Sequence, residues 1–207
     1  IDPGHGGKDP GAISNGVQEK TVTLPMGLQL QGILQAEGAR VIMTRSSDVN
    51  PAPGGSVDDD LQARVNDAQQ AHADAFISIH ANESGDPNVS GVTTFYGPAC
   101  GFYSNVTLTP TIVGRSYSLA SKVDAAVVAR TQEHDNGTQG VAFWVLGNPG
   151  IPAILVEAAF LSNPPEAGKL VDPGYQHLLA DAIADGVNAL FASGDATGNP
   201  PPPSSAM

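Results

Sequence analysis

The spacing of apolar and polar positions along this chain switches repeatedly between a helical and a strand period. From Thr23, the residues Leu24, Leu28, Leu30 and Leu34, interleaved with Gln29, Gln31 and Gln35, follow an amphipathic helix that Gly38 closes. Pro25 is compatible with it in the first turn. A β-rich run at 39–44 follows, then a polar loop holding Pro51, Pro53, Gly54 and Gly55. That loop ends at Asp58 to Asp60, which can cap a second helix reaching about His72. Ala75-Phe76-Ile77-Ser78-Ile79 reads as a short apolar strand with His80-Ala81-Asn82 at its C-terminal end, and 92–96 as the next strand. A mixed stretch at 97–114 precedes a helix over 116–130, whose apolar face is Leu119, Val123, Val127 and Val128. Strands at 141–146 and 153–156 and a helix at about 175–191 complete the pattern. Strands alternating with helices predict an α/β fold whose mostly parallel sheet is covered on both faces.

Length and composition bound what this pattern can become. The 207 residues, 41% of them hydrophobic, can bury one substantial core but not two large ones. Residues 1–192 are read as one domain, and 193–207, with Pro200 to Pro203 in succession, as a tail or linker. Ile1, directly before Asp2-Pro3-Gly4, reads as the end of a first strand truncated at the amino terminus. A formal charge of −12 with only nine Lys and Arg leaves no basic stripe for a phosphate backbone, which excludes nucleic acid as a partner. No apolar run approaches the roughly 18 residues that membrane insertion requires. A monomer is expected. Cys100 is the sole cysteine and reads as a small apolar filler, so any metal must rely on His and carboxylates.

In an α/β sheet, ligands gather at the carboxyl ends of the strands. His5, on the loop Asp2 to Gly11 with its four Gly and two Pro, follows the first strand. His80 follows the 75–79 run and Glu157 follows Ile154-Leu155-Val156. A carboxylate in that last position is costly unless it is paired, hydrated or bound to a metal. Two imidazoles and a carboxylate form a known zinc set with a fourth position open to water. Glu19, 14 residues beyond His5 across a turn-rich loop, can provide the carboxylate, although the same position suits a helix cap. His5 could equally make a structural hydrogen bond, and His134, beside Glu133 and Asp135, is the reserve ligand. His72 and His177, on helices, read as exposed or dipole-paired.

The chain also resembles the zinc-dependent N-acetylmuramoyl-L-alanine amidases of bacterial autolysins, cell-separation enzymes and phage or spore lysins. The matching segments run in the family's order. They are Asp2-Pro3-Gly4-His5-Gly6-Gly7, Asp9-Pro10-Gly11-Ala12, Glu19-Lys20, Thr44-Arg45 with Asp48, Leu61 with Arg64, and Ala73-Asp74 leading to Phe76-Ile77-Ser78-Ile79-His80-Ala81-Asn82. Val145-Leu146 and Pro152 to Glu157, with Phe160-Leu161-Ser162-Asn163, complete the set. The resemblance implies a twisted six-stranded sheet, zinc held by His5, Glu19 and His80, and a catalytic Glu157. The implied reaction cuts the amide between N-acetylmuramic acid and L-alanine in peptidoglycan. Asn82 is then a candidate for hydrogen bonding the substrate, or else forms an Asx turn. The implied location is secreted, periplasmic or wall-associated, and the resemblance leaves room for a further wall-binding module in the full-length protein.

Gln69 and Ala158-Ala159 depart from the family pattern, and the 46–57 loop is longer than usual, changes that bear on cleft shape. No inserted helix is evident between His80 and Ser116, so an open site is expected. Two other functions compete: a metal-independent glycosidase using Glu19 and Glu157 as acid and base, and a wall-binding module that keeps the fold without the chemistry.

Overall fold

The computed structural model describes residues 1–98 and 107–193, so Cys100 and the proline-rich tail lie outside the described residues. Two apolar strands form its centre. β4 (Phe76–Asn82) pairs parallel with β7 (Ala153–Phe160), in a register running from Phe76 opposite Ala153 to His80 opposite Glu157. Both strands are buried on both faces, which is why they read as continuous apolar runs rather than as alternation.

The period of two assigns each face its layer. Ile77, Ile79 and Ala81, with Ile154, Val156 and Ala158, enter the larger core beneath α1 (Lys20–Ala36), α3 (Pro110–Thr131) and α6 (Pro173–Ser193). Phe76, Ala153 and Leu155 enter a smaller core with Ala68 of α2 (Val57–Gln70) and Val145 and Leu146 of α4 (Trp144–Gly147). Continuing that second alternation, Ser78, His80 and Glu157 stand on the thinner side of the sheet.

The remaining strands are β1 (Asp2–Pro3), β5 (Val92–Tyr96) and β6 (Asp135–Gly140), in the spatial order β1-β4-β7-β5-β6. Within this sheet, among the described residues, only the β5–β7 pairing is antiparallel. A separate hairpin of β2 (Ile13–Ser14) and β3 (Val17–Gln18) fills the stretch ahead of α1. The fold is thus α/β with a mostly parallel sheet and helices on both faces, as expected, but with five strands in the sheet rather than six.

The strand expected at 39–44 is not part of the sheet. Its pairing is confined to Ile1, whose amino group donates to Ile42 (2.7 Å) and whose carbonyl accepts from Thr44 (3.1 Å). The strand expected at 141–146 lies earlier, as β6, a polar and half-exposed edge strand without an apolar signature. The apolar run Trp144-Val145-Leu146 instead forms α4.

Helix α1 begins three residues before Thr23, so Pro25 falls in its second turn, and its buried stripe is Val22, Met26, Leu30 and Leu34 while Leu28 faces solvent. Helix α2 is capped not by Asp58 to Asp60 but by Ser56, whose hydroxyl accepts from the Asp59 amide while the Asp59 carboxylate accepts from the Ser56 amide. Helix α3 starts at Pro110 rather than near Ser116, and α5 (Pro164–Leu170) was not anticipated.

Helices α3 and α6 cross at Gly186, where a Cβ would stand 2.4 Å from Val123 Cα. Gly186→Ala should therefore destabilise the fold by about 1–3 kcal/mol in denaturant titration, because overpacking against backbone exceeds the helix-propensity gain of about 1 kcal/mol. A stabilised variant would show that the two helices can separate freely.

A second expectation concerns Asp124 of α3, buried and accepting a hydrogen bond from Thr94 Oγ1 of β5 (2.9 Å). Burial, reinforced by the charge of Asp135, outweighs that hydrogen bond and pushes the carboxyl up to about 6. The folded state then binds the proton more tightly than the unfolded one, so this group's contribution is full at low pH and falls as pH rises from about 4 through 6. Asp124→Asn should remove a loss on the order of 1–2 kcal/mol between pH 4.5 and 7.5. Denaturation curves at the two pH values that keep the wild-type gap in the variant would refute the assignment.

Candidate metal centre

The site begins with a backbone that cannot hold itself. After β1 the chain turns through His5, Gly6 and Gly7 with φ of 62°, 133° and 60°, a run that only glycine adopts without strain. Its carbonyls point inward and are met by two buried arginines. Arg45 donates to the carbonyls of Pro3 and Gly4 (both 2.9 Å), and Arg64 donates to those of Pro3 (3.1 Å) and His5 (2.9 Å). Arg64 also pairs with the carboxylates of Asp2 (2.7 Å) and Asp60 (3.0 Å). Lys20 donates to the Gly7 carbonyl, and Asp48, which Lys20 also holds, accepts from the Gly7 amide.

On this fixed loop His5 Nε2 lies 2.9 Å from Glu19 Oε2, while His80 Nδ1 of β4 lies 2.8 Å from Glu19 Oε1. Glu19 directly precedes α1, yet its side chain does not cap the helix. It turns back instead, accepting from the amides of Ala12 (2.9 Å) and Ala81 (3.1 Å), and is 4% exposed. One ligand atom from each of His5, Glu19 and His80 falls within 4.8 Å of the others.

The backbone is bare where these side chains converge. A Cβ at Gly4 would stand 2.3 Å from His80 Cε1, and one at Gly11 would stand 2.5 Å from both Glu19 Oε2 and His5 Cδ2. Two imidazoles at near right angles, with centroids 4.9 Å apart, and a carboxylate between them fit a metal ion, leaving further coordination positions to solvent.

The metal-free electrostatics express the same convergence. Burial opposes charge on His5, but the hydrogen bonds and charges of Glu19 and Asp9 overcome it and raise the imidazole to about 9. Burial would raise Glu19, yet the two imidazoles hold its carboxyl far below the ordinary carboxylate range.

Glu157 behaves oppositely. Burial, with the charge of Glu19 added and the imidazoles opposing, pushes its carboxyl up to about 7. Its Oε2 is buried and has no hydrogen-bond partner among the described residues. Being the register partner of His80, it projects on the same side of the sheet.

All four residues line one cavity of about 440 Å³, walled on its other side by α2 and α4, with Val57 and Phe143 exposed at the rim. Asn82 lines it as well, and its side-chain oxygen accepts from the Glu83 amide (2.8 Å), an Asx contact. Another groove, of about 310 Å³, lies around the amino-terminal ends of the sheet strands, at Ile1, Ala75 and Ile77, away from these residues.

His5, Glu19, His80, Glu157 and Asn82 therefore come together at one cavity. His80 and Glu157 lie within their strands rather than after them, because β4 runs on to Asn82 and β7 to Phe160. His134 does not join them: its carbonyl accepts from Val92 at the start of β5, and the residue precedes β6. The sequence reading assigned no role to Asp9, whose Oδ2 lies 2.7 Å from His5 Nδ1; a His and an Asp four residues apart on a glycine-rich loop were the available signal. Among the described residues no helix separates β4 from α3, while residues 99–106 lie outside them.

The family model for N-acetylmuramoyl-L-alanine amidase matches residues 1–189. The chain is 36% identical over 191 residues to the N-acetylmuramoyl-L-alanine amidase LytC of Bacillus subtilis, a match covering 92% of this chain but 35% of that protein. It is 33% identical to the germination-specific N-acetylmuramoyl-L-alanine amidase of the same organism, covering 97% of this chain and 81% of the other. The crystal structure of the amidase from Clostridium difficile 630 superposes with a TM-score of 0.81 at 30% identity, covering 94% of this chain and 96% of that one. The chain belongs to the N-acetylmuramoyl-L-alanine amidase family and is an amide hydrolase of that class.

Proposed function

We propose that this chain cuts the amide joining the lactyl group of N-acetylmuramic acid to L-alanine in bacterial peptidoglycan, with His5, Glu19 and His80 holding a zinc ion and Glu157 as general base. The family supports the substrate, and the ligand set supports zinc over harder cations, which prefer all-oxygen cages. Zinc, when bound there, polarises a carbonyl and lowers the pKa of water.

The observation that carries the reading is the contrast between two glutamates in one cavity. Glu19 has both oxygens engaged by imidazoles and amides, so it is suited to ligation and not to proton transfer. Glu157 has a free oxygen and a raised affinity for protons. It takes the proton of the attacking water and passes it to the nitrogen of the leaving L-alanine, yielding a lactyl carboxylate and a free amino terminus. Asn82, which lines the cavity with its oxygen held by the Glu83 amide, offers its side-chain amide hydrogens to the substrate. Because this substrate lies outside the cytoplasmic membrane, we place the action there, whether secreted, periplasmic or wall-associated. Among the described residues no helix is long and apolar enough to cross a membrane.

Digestion of purified peptidoglycan should release L-alanine amino termini without new reducing sugars. Chelation should abolish that release and zinc should restore it. Glu157→Gln should lower kcat by about 10²–10⁴-fold while the zinc content stays at that of the wild type. Reducing ends produced by the chelated protein would establish the glycosidase instead, and a Glu157→Gln variant at wild-type rate would remove Glu157 from the mechanism.

A further inference from the structure

The residue that the reaction scheme leaves unused is Asp9. The chain between His5 and Gly11 is folded into a tight turn, in which the Gly6 amide donates to the Asp9 carbonyl (2.9 Å) and the Asp9 amide to the Gly6 carbonyl (3.1 Å). The turn brings the Asp9 side chain beside the ring of His5, on the edge opposite Glu19. One carboxylate oxygen lies 2.7 Å from His5 Nδ1, and the other accepts from the Gly11 amide (3.0 Å). Asp9 is thus held at both oxygens, and the imidazole is held at both nitrogens, with Nε2 turned to Glu19 at 2.9 Å.

A neutral imidazole donates from one nitrogen and offers a lone pair at the other. A carboxylate at Nδ1 selects the Nδ1–H tautomer, which leaves the Nε2 lone pair for a metal, and its negative charge makes that lone pair a stronger donor. The arrangement matters more at His5 than at a strand residue. His5 sits on a loop with φ of 62°, where no ladder of backbone hydrogen bonds orients its side chain. His80, by contrast, is fixed within β4 and packed against Gly4.

We propose that Asp9 is a positioning residue that locks His5 in the Nδ1–H form and aims its Nε2 at the metal. The proposal rests on the reading of His5, Glu19 and His80 as a zinc site. Asp9 does not touch the substrate. It acts on how tightly the metal is held and on which nitrogen holds it. Its side chain is half exposed, so its removal leaves the cores untouched.

The test uses the whole chain with Asp9→Ala and Asp9→Asn, and reads zinc affinity by competition with a chromogenic chelator. Affinity should fall by about 10–100-fold in Asp9→Ala, with Asp9→Asn, which keeps an acceptor but loses the charge, in between. The melting temperature of the zinc-free chain should stay close to that of the wild type. In ¹⁵N-histidine-labelled, zinc-loaded wild type, the His5 Nδ1–H resonance should be protected from solvent exchange, and Asp9→Ala should lose that protection. Wild-type zinc affinity in Asp9→Ala would overturn the proposal, as would a loss of affinity matched by a lowered melting temperature of the zinc-free chain. A wild type that binds no zinc would fail at the earlier step, the metal site itself, and is distinguished by that control.

Discussion

Two buried guanidinium groups, Arg45 and Arg64, hold the carbonyls of three successive residues, Pro3 to His5. That stretch carries a non-glycine residue in the left-handed region, a conformation that costs about 1–3 kcal/mol and persists only when its surroundings over-determine it. The arginines accomplish this by giving each inward carbonyl a charged donor. Their own burial has to be offset in turn. Arg64 is neutralised by Asp2 and Asp60, and Asp2 is fixed by Ser78 of β4 (2.7 Å) and Thr44 (2.7 Å). The network therefore ties the loop bearing His5 to the central strand bearing His80. Deleting Arg64 would leave the carboxylate of Asp2, 1% exposed, without its charge partner, which is far costlier than losing one hydrogen bond.

The network also clarifies which parts of the site could be read from sequence. His80 and Glu157 were visible because an ionisable residue interrupts an uninterrupted apolar run, and burial of both strand faces leaves such a residue few innocuous explanations. Glu19 was not visible by the same logic. Its contact with His80 spans 61 positions and exists only because a short hairpin folds the chain back ahead of α1, and neither helical nor strand periodicity encodes that return. The resemblance to known amidases, not the residue pattern, identified it.

The misread strands fail for a related reason. β6 has no apolar face because it lies at a sheet edge, whereas Trp144-Val145-Leu146 looks like a strand yet is a single helical turn pressed on the smaller core. Periodicity reports burial and says little about an element that is half exposed or too short to repeat.

Within the cavity one residue type serves two ends. Glu19 and Glu157 share a pool of positive charge from the same imidazoles, but Glu19 lies between them with both oxygens hydrogen-bonded, while Glu157 is desolvated with one oxygen unpartnered. Their proton affinities move in opposite directions from that difference alone.

The register of β4 on β7 sets the spacing between the proposed metal ligand and the proposed base. His80 and Glu157 are lateral neighbours on hydrogen-bonded parallel strands, so their separation is governed by the interstrand repeat of about 4.8 Å. The sheet acts as a ruler built into the backbone. The loops around the cavity can lengthen or exchange side chains without recalibrating that distance. The shape of the cleft can therefore change while His80 and Glu157 keep their places.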